Sequence, residues 1–565
     1  MAFDRETDVL VVGSGAGGLV AALRAAKAGA EVLVVEKGAL WGGTSATSGG
    51  GIWIPGSHLA EAAGQADNLD DAFHYVRQLT ADNVDDAQIR AFVENARHML
   101  AWIEKEADIQ YAALPYPDYY PEVEGSREGF RTHLIPGQMH ASQMNRAAFD
   151  TMQRASPAAS LWGRINWKLE ETHIALFRPK GWWKTIGKVM AGYMLDIPQR
   201  LRSPRDRRLT LGTALLGGLR NALDQTGTQL WLESPMVSLI EEGGKIVGAE
   251  VKHEGKTVRI GARKGVILAA GGFERNAELR KKYLKAANDT PLASGSQVNN
   301  AGDTLVEAER RGAATRNMDS AWWAPMFRVP GEDRSRLSTV ERALPYSIVV
   351  NQAAKRYANE ALSYHRFGEA MMTENKPGAA TDPSWLIFDS RYRASYPAGP
   401  VIPGMPESML PAGVREVLVK GSTIEELAAA AKLDPATLKA TVDRFNTMVA
   451  NGKDADFGRG DAAYDRLYGD PRVSPNPSLG TVEKAPFYAI PLHLGDIGTN
   501  GGLVTDERAR VLREDGSTIP GLYAVGNVAG SVMGYSYPGA GATLGPAMTF
   551  GYLAAADICR INARD

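Results

Sequence analysis

The hydrophobic pattern near the start of the chain changes from the period of a strand to that of a helix and back again. Residues 8–12 consist of an aspartate followed by four apolar residues, which predicts a buried strand. Residues 19–27 place apolar side chains at helical spacing, and residues 31–35 form a second apolar run. The order strand, helix, strand predicts a βαβ unit with two parallel strands.

The same two patterns return along the rest of the chain. Helical spacing prevails over residues 59–106 and 423–451, and again from Gly545-Pro546 onward, where proline suits a first helical turn. Strand patterns occupy residues 230–232, 236–240, 246–251, 257–260, 265–270, 346–351 and 522–525. Strands that alternate with helices in this way predict an α/β fold.

The loop between the first strand and the first helix carries a GxGxxG pattern, Gly13 to Gly18, followed by an acid at Glu36. In a dinucleotide-binding βαβ unit, Gly13 makes the tight turn, Gly15 admits the pyrophosphate and Gly18 lets helix pack on strand. Glu36 is placed to accept a hydrogen bond from a ribose hydroxyl. The loop residues Ser14, Ala16 and Gly17 belong to the same predicted site.

A second loop rich in Gly, Ser and Thr follows the acid. Such a loop suits a ligand that runs on past the pyrophosphate, which favours a flavin dinucleotide; a plain surface loop is the alternative. From this second loop we assign to the cofactor Lys37, Gly42, Gly43, Thr44, Ser45, Ser48, Gly49 and Gly50. From later parts of the chain we assign Met236, Val237, Ala270, Gly271, Gly272, Asn300, Asp303, Gly526, Asn527, Leu544 and Gly545.

A glycine-rich loop lies between the strand at residues 522–525 and the last helix. It contains a phenol, Tyr537, four residues before Gly541. A hydroxyl and a backbone N–H that converge on one point make an oxyanion hole, and a helix N-terminus adds partial positive charge. An ordinary glycine-rich loop is the alternative interpretation.

Composition narrows the class of protein. The length of 565 residues predicts about three domains or lobes. The net charge of −2 gives no indication of nucleic-acid binding, and the single cysteine, Cys559, rules out an intrachain disulfide and favours a reducing compartment. We expect no metal site, because CxxC and HExxH motifs are absent from the sequence and its histidines are scattered. We also expect no signal peptide and no transmembrane helix.

Residues 161–210 differ from the rest of the chain. They hold eleven Lys or Arg and four acids, a local charge of +7, and include the tryptophans Trp162, Trp167, Trp182 and Trp183. Lysines set among aromatic and aliphatic residues at helical spacing are typical of a helix that lies on an anionic membrane surface. We therefore predict a peripheral membrane protein on the cytoplasmic side, with an oligomer contact or a solvated basic face as alternatives.

Several motifs together resemble those of a known superfamily. The dinucleotide fingerprint, Gly42-Gly-Thr-Ser45, Ala269-Ala-Gly-Gly272 and residues 521–527 are similar to the fumarate reductase/succinate dehydrogenase flavoproteins. Within it, Pro117-Asp-Tyr119-Tyr120, Asn359-Glu360-Ala-Leu-Ser-Tyr364 and Tyr537-Pro-Gly-Ala-Gly541 resemble the 3-ketosteroid Δ1-dehydrogenases. The basic aromatic segment resembles the longer, sterol-type members that act on cholest-4-en-3-one.

The resemblance implies non-covalent FAD, a 3-ketosteroid substrate and a role for each matching residue. Tyr537 and the Gly541 N–H would bind the C3 carbonyl, and Tyr364 would take the C2 proton while a hydride leaves C1 for flavin N5. A free tyrosine has a pKa of about 10, and Tyr119 would favour the Tyr364 anion by a hydrogen bond. Tyr116 would extend a proton relay, with plain packing as the alternative.

The resemblance also implies a domain plan. Residues 1–160, 211–320 and 495–565 would form a Rossmann-like FAD-binding domain, residues 321–494 an inserted α+β catalytic domain, and residues 161–210 the small basic aromatic helical insert. The alternatives are a 3-ketosteroid dehydrogenase acting at C4–C5, a fumarate reductase-like flavoprotein, and a flavin-containing membrane-surface protein without turnover. The electron acceptor would be a quinone or O2.

Overall fold

The computed structural model describes residues 2–156, 160–161, 163–284 and 291–564. Trp162, one of the tryptophans of the basic segment, lies outside the described residues. The chain divides into two compact units. The first unit contains Met1–Asn276, Gln297–Ala321 and Gly498–Asp565, and the second contains Ala277–Ser296 and Trp322–Ile497.

The strands that the structure describes follow the chain in this order: β1 (Arg5–Val12), β2 (Val32–Val35), β3 (Ile52–Trp53), β4 (Ala112–Ala113), β5 (Thr132–Leu134), β6 (Met139–His140), β7 (Ser160–Leu161), β8 (Ile165–Asn166), β9 (Arg208–Leu209), β10 (Gln229–Trp231), β11 (Met236–Glu242), β12 (Lys245–His253), β13 (Lys256–Leu268), β14 (Thr315–Arg316), β15 (Ala321–Phe327), β16 (Arg336–Leu337), β17 (Ser347–Val350), β18 (Ser384–Phe388), β19 (Val419–Gly421), β20 (Phe487–Thr499), β21 (Gly502–Leu503), β22 (Arg510–Leu512) and β23 (Thr518–Ala524).

The described α-helices are α1 (Ala16–Lys27), α2 (Gly43–Thr47), α3 (His58–Ala62), α4 (Leu69–Thr80), α5 (Asp86–Ala107), α6 (Arg146–Asp150), α7 (Leu169–Phe177), α8 (Trp182–Leu195), α9 (Ile197–Arg200), α10 (Leu211–Gln225), α11 (Ala277–Tyr283), α12 (Asp303–Arg310), α13 (Tyr364–Thr373), α14 (Ser390–Ser395), α15 (Ala412–Val417), α16 (Ile424–Ala430), α17 (Pro435–Ala450), α18 (Ala463–Leu467) and α19 (Leu544–Cys559). Short 3₁₀ turns lie at Ala81–Asn83, Ala141–Gln143, Pro291–Ala293, Glu407–Met409 and Gly526–Val528.

A parallel sheet forms the centre of the first unit. Strands β10, β2, β1, β13 and β23 lie side by side in that order, and each neighbouring pair is parallel. Numbered along the chain, these strands have the order 3-2-1-4-5, in which the direction of progress reverses at β1. Ligands of open α/β sheets bind at the carboxyl ends of the strands at this reversal, so the loop after β1 is the expected site. The predicted α/β fold is confirmed.

One strand of this sheet is longer than the sequence pattern indicates. Residues 257–260 and 265–268, which the pattern separates, belong to the single strand β13. Gly265, at φ +154°, and a shift of the β1 register between Thr7 and Val9 let the strand continue through this point. The first half of β13 pairs with β12 and the second half with β23, so one strand joins an antiparallel hairpin to the parallel sheet.

The second unit is built on a separate six-stranded sheet. Its order is β16-β15-β20-β18-β17, and β19 also pairs with β20. Helices α16 and α17 pack their apolar faces on this sheet, with Leu427 and Phe445 fully buried. The helical pattern predicted over residues 423–451 is therefore two helices, because Pro435 begins a new helix rather than continuing the first.

The unit boundaries differ from the predicted domain plan at Ala277–Ser296, which the sequence analysis places with the cofactor domain. In the structure this segment belongs to the second unit. Arg280 forms a fully buried ion pair with Asp496 of β20 at 2.6 Å, and the Gly295 N–H donates to the Asp496 carbonyl at 2.8 Å. A long-range ion pair of this kind leaves no periodic signal in the sequence.

The basic aromatic segment belongs to the first unit, where it forms α7, α8 and α9. The helical spacing noted within residues 161–210 corresponds mainly to α8. Within the described residues, no helix is both long and apolar enough to cross a bilayer.

We predict that Arg280→Met weakens the second unit. The substitution leaves the carboxylate of Asp496 buried without its cation, so the free energy of unfolding should fall by about 3–5 kcal/mol. Urea unfolding followed by tryptophan fluorescence measures the change. The control is Lys439→Met, which removes the exposed Lys439–Asp443 pair and should cost less than about 0.5 kcal/mol. Equal effects of the two substitutions would contradict this interpretation.

Candidate functional site

The loop after β1 is shaped by glycines that leave no room for side chains. Gly13 has φ +110°, and a Cβ there would overlap the carbonyl oxygen of Ala269. A Cβ on Gly18 would overlap the carbonyl oxygen of Gly13. At Gly15, by contrast, the nearest atom to an added Cβ is Ser45 Oγ, at an ordinary 3.5 Å. The fold itself therefore requires glycine at positions 13 and 18, whereas at position 15 the protein leaves room for a Cβ.

Glu36 is fixed at the end of β2 by the first glycine loop. Ser14 Oγ donates to Glu36 Oε2 at 2.5 Å and accepts from the Gly42 N–H at 2.9 Å. The Ser14 N–H also donates to Oε2, and the Gly38 N–H donates to Oε1 at 2.8 Å. A carboxylate offers about four acceptor positions, so Glu36 keeps capacity for a further donor such as a ribose hydroxyl.

The second Gly/Ser/Thr loop is bonded to the first. Its short helix α2 places Ser45 Oγ 3.1 Å from the Ala16 N–H, which donates to it. Thr44 Oγ1 accepts from the Asn300 side-chain amide at 3.1 Å. The carbonyl of Ser45 accepts from the Ser48 hydroxyl at 2.7 Å. An added Cβ would meet no atom within 4 Å at Gly43 or Gly49, whereas Gly50 is packed against Leu211.

The loop after β13 closes against the same region of the first unit. Gly271 has φ +79°, and an added Cβ would lie 3.0 Å from the side chain of Asn300. A Cβ on Gly272 would overlap Thr499 Oγ1. Ala270 precedes these two glycines and is half-buried. Asn300 therefore links the second glycine loop to the end of β13, as a shared cofactor site requires.

The remaining predicted cofactor residues differ in their exposure and in the elements that carry them. Lys37 and Asp303 pair with one another at 2.5 Å in exposed positions. On β11, Met236 is buried while Val237 is 44% exposed. Gly526 and Asn527 lie in the 3₁₀ turn after β23, and Leu544 and Gly545 begin α19, where an added Cβ on Gly545 would lie 2.6 Å from the Trp53 carbonyl oxygen.

Three tyrosine side chains from the predicted catalytic motifs lie close together in the first unit. The rings of Tyr119 and Tyr537 are stacked, with centroids 5.6 Å apart and planes 19° apart, and both side chains are buried. The ring of Tyr116 lies 6.3 Å from that of Tyr119. The structure therefore brings Tyr537, from near the end of the chain, together with two phenols of one early segment, Tyr116 and Tyr119.

Gly541 has a backbone geometry that only glycine tolerates here. Its φ is +97°, and an added Cβ would lie 2.5 Å from the backbone nitrogen and carbonyl carbon of Ile52. Its carbonyl oxygen accepts from the N–H groups of Trp53, at 3.2 Å, and Gly545, at 2.9 Å. Across the described part of the chain, the Gly541 N–H itself has no acceptor. A donor left open on the same loop as a buried phenol is what an oxyanion hole needs.

Two charged residues beside these phenols went unassigned in the sequence analysis. Asp118 accepts from Trp53 Nε1 at 2.8 Å and from Arg131 at 3.0 Å, and Arg131 also pairs with Asp67. Burial raises the pKa of Asp118 to about 6, and the Arg131 guanidinium opposes this rise. The one sequence signal that could have identified Asp118 is its position next to Tyr119. The residues that contact Asp118 are not adjacent to it in the sequence, so the pattern does not reveal them.

Tyr364 belongs to the second unit, where it is the first residue of α13. The hydroxyl of Ser363 caps this helix by accepting from the Arg366 N–H. The turn before it is held from inside the unit, because Arg342 donates to the carbonyl of Glu360 at 2.7 Å and Arg356 pairs with the Glu360 carboxylate at 2.7 Å. The phenol therefore lies at the positive end of a firmly anchored helix.

Comparisons with known proteins agree with this architecture. A family model described as "FAD binding domain" matches residues 8–544. The 3-oxosteroid 1-dehydrogenase of Mycobacterium tuberculosis is 39% identical, with 98% of each chain covered. The 4-oxocyclohexanecarboxylate 2-dehydrogenase of Sinomonas cyclohexanicum is 37% identical, with 97% of this chain and 92% of that protein covered.

A solved structure is similar over the whole chain. The crystal structure of 3-ketosteroid delta1-dehydrogenase from Sterolibacterium denitrificans in complex with 1,4-androstadiene-3,17-dione has a TM-score of 0.93 and 41% identity, and the match covers 98% of this chain and 100% of that chain. The fold, the glycine-rich loops after β1 and β2 and these matches define a flavoprotein with FAD as its cofactor. The chain belongs to the 3-oxosteroid 1-dehydrogenase family, which confirms the resemblance found in the sequence.

We predict that Gly13→Ala removes most of the bound FAD. Its Cβ has no space against the Ala269 carbonyl, so the turn must shift, and affinity should fall at least about tenfold. The ratio of flavin to protein absorbance after gel filtration measures the loss. Gly29→Ala is the matched control, because Gly29 has φ +82° and an added Cβ there meets nothing within 4 Å. If both variants lose FAD equally, strain from the positive φ angle is responsible, and the lack of space for a Cβ beside the Ala269 carbonyl does not explain the loss.

Proposed function

We propose that this chain is an FAD-dependent dehydrogenase that converts 3-oxo-4-ene steroids to 3-oxo-1,4-dienes. The observation that carries the proposal is the open Gly541 N–H on the same loop as Tyr537, with the ring of Tyr119 stacked on that phenol. The kinship with 3-oxosteroid 1-dehydrogenases supports the choice of substrate. The kinship with a 4-oxocyclohexanecarboxylate 2-dehydrogenase supports desaturation beside a ring ketone as the shared chemistry.

The loop from Tyr537 to Gly541 would bind the steroid C3 carbonyl. The Tyr537 hydroxyl and the Gly541 N–H would both donate to the carbonyl oxygen, which makes the proton at C2 more acidic. As that proton leaves, negative charge grows on the oxygen, and donors already held in place stabilise it without rearranging. When bound, the flavin supplies the acceptor for the hydride equivalent lost from C1.

Tyr364 would remove the C2 proton in its anionic form. The N-terminus of α13 carries partial positive charge, which favours an anion in the first turn. Tyr119 and Tyr116 would keep the roles that the family resemblance gives them, which are support of the phenolate base and onward passage of its proton. The glycine loops after β1 and β2, with Glu36 and Asn300, would hold the cofactor.

Anaerobic mixing tests the proposal directly. The holoenzyme is mixed with cholest-4-en-3-one or with androst-4-ene-3,17-dione, and the visible flavin band is followed. Bleaching with formation of a conjugated 1,4-dien-3-one supports Δ1-dehydrogenation and ranks the two side chains. A persistent band with both steroids would refute the steroid assignment. Bleaching by 4-oxocyclohexanecarboxylate alone would point to a small cyclic ketone as the substrate.

We predict that Tyr364→Phe abolishes turnover while FAD content and steroid affinity stay close to wild type. Loss of a general base should lower kcat by about 100-fold to 10 000-fold. Tyr357→Phe is the control, because it removes the hydroxyl of another half-buried tyrosine of the second unit, one that bonds to Ser384 Oγ at 2.8 Å. Full activity of Tyr364→Phe would refute its role as the base.

A second proposal concerns the basic segment, which we expect to dock on an anionic membrane surface. The C-terminal half of α8 and the residues after it present large apolar side chains to solvent, with Leu195 74% and Leu201 83% exposed. Trp183, at the start of α8, is 62% exposed. Exposed cations, Lys180, Lys184, Lys188 and Arg202, lie among them. Aromatic and aliphatic residues interspersed with lysines suit insertion at a lipid headgroup boundary, where a membrane quinone would be the electron acceptor.

We predict that the triple variant Trp183→Ser, Leu195→Ser, Leu201→Ser loses binding to phosphatidylserine-containing vesicles by about 100-fold, because three apolar contacts are removed. Vesicle co-sedimentation at low and raised salt measures it, and steroid turnover in detergent should persist. Met409→Ser is the control, since Met409 is 68% exposed but lies outside the segment. Vesicle binding that survives the triple substitution would argue against the docking surface.

A further inference from the structure

A fully buried phenol on α4 connects the two catalytic motifs of the first unit. Tyr75 is 0% exposed, and its hydroxyl donates to the carbonyl oxygen of Pro538 at 2.9 Å. The same hydroxyl accepts from the Tyr120 N–H at 3.3 Å. Pro538 follows Tyr537, and Tyr120 follows Tyr119, so one side chain bonds to the neighbours of both stacked phenols.

The Pro538 carbonyl is a shared anchor. It accepts from the Tyr119 N–H at 2.8 Å as well as from Tyr75. Proline has no N–H of its own, so the carbonyl is the only backbone group through which residue 538 can be held. Removing the Tyr75 hydroxyl would leave this anchor with the bond from Tyr119 and would also release the Tyr120 N–H.

The ring of Tyr75 is itself held firmly. It lies 6.3 Å from the ring of Trp53, and the Arg131 guanidinium lies 5.7 Å from its centroid. Arg131 is fixed in turn by its ion pairs with Asp67 and Asp118. Burial raises the pKa of Tyr75 well above its ordinary value, so the hydroxyl stays protonated and continues to donate across the pH range of an enzyme assay.

We propose that Tyr75 is a positioning residue, which clamps the Tyr537–Gly541 loop to the Tyr119 segment and so fixes the distance between the stacked phenols and the Gly541 N–H. The inference rests on the proposed function for its effect on catalysis. The clamp itself is a property of the fold and is measured without substrate.

Hydrogen–deuterium exchange tests the clamp. In Tyr75→Phe holoenzyme, which keeps the ring and its volume, peptides that contain Tyr119 and Tyr120 and the peptide around Pro538 should exchange about fivefold to tenfold faster, as expected for the loss of one buried hydrogen bond. Tyr392→Phe is the matched control: it removes a fully buried hydroxyl that bonds to the Pro397 carbonyl at 2.7 Å in the second unit. Unchanged exchange in Tyr75→Phe overturns the inference, whatever the activity.

Kinetics and vibrational spectroscopy test the catalytic consequence. Tyr75→Phe should lower kcat by about 10-fold to 100-fold with KM changed less than about threefold, because a misplaced donor weakens the transition state more than binding. The infrared stretch of the bound steroid C3 carbonyl should move toward its value in free steroid, which a general loss of stability would not cause.

Two outcomes separate the clamp from the proposed function. Faster exchange with unchanged kcat and an unchanged carbonyl stretch would overturn the positioning role. If wild-type enzyme neither oxidises nor polarises any 3-ketosteroid, the proposed function fails, and the exchange experiment alone decides whether Tyr75 clamps the two segments.

Discussion

The architecture of the first unit depends on the direct backbone contact between its first helix and its last. An added Cβ on Gly17 of α1 would lie 2.7 Å from the Ala547 carbonyl oxygen of α19, and one on Gly551 would overlap the carbonyl oxygen of Gly17. Helices with side chains at these points would be forced apart. Glycine at these points lets α19 pack directly on α1, the helix that follows the glycine loop after β1.

Through that contact, the glycine loop after β1 and the Tyr537–Gly541 loop belong to one unit although they come from opposite ends of the chain. The strand β23 completes the parallel sheet next to β13, and the chain then passes through Gly526 and the Tyr537–Gly541 loop before α19 begins. Two hydrogen bonds hold the main chain of this loop. The hydroxyl of Thr132 donates to the Ala540 carbonyl at 3.1 Å, and the Trp53 N–H donates to the Gly541 carbonyl. The strand β23 and the helix α19 position the two ends of this segment, and hydrogen bonds to its main-chain carbonyls position the residues between them.

The sequence predicted the parts whose signal is local. The glycine spacing after β1, the acid at Glu36 and the apolar period of α8 each follow from steric or hydrophobic rules that act over a few residues. The sequence did not predict that Ala277–Ser296 joins the second unit, because the buried Arg280–Asp496 pair joins residues 216 positions apart. Tyr75 was also missed, since a tyrosine on the apolar face of a helix ordinarily indicates packing alone.

The use of main-chain carbonyls as anchors has an evolutionary consequence. The anchored oxygens of Pro538, Ala540 and Gly541 would be present whatever side chain those positions carried, although Gly541 is restricted to glycine by its φ of +97° and by the contact of an added Cβ with Ile52. A lineage can therefore alter the side chains that surround the loop without removing the hydrogen bonds that hold its backbone in place.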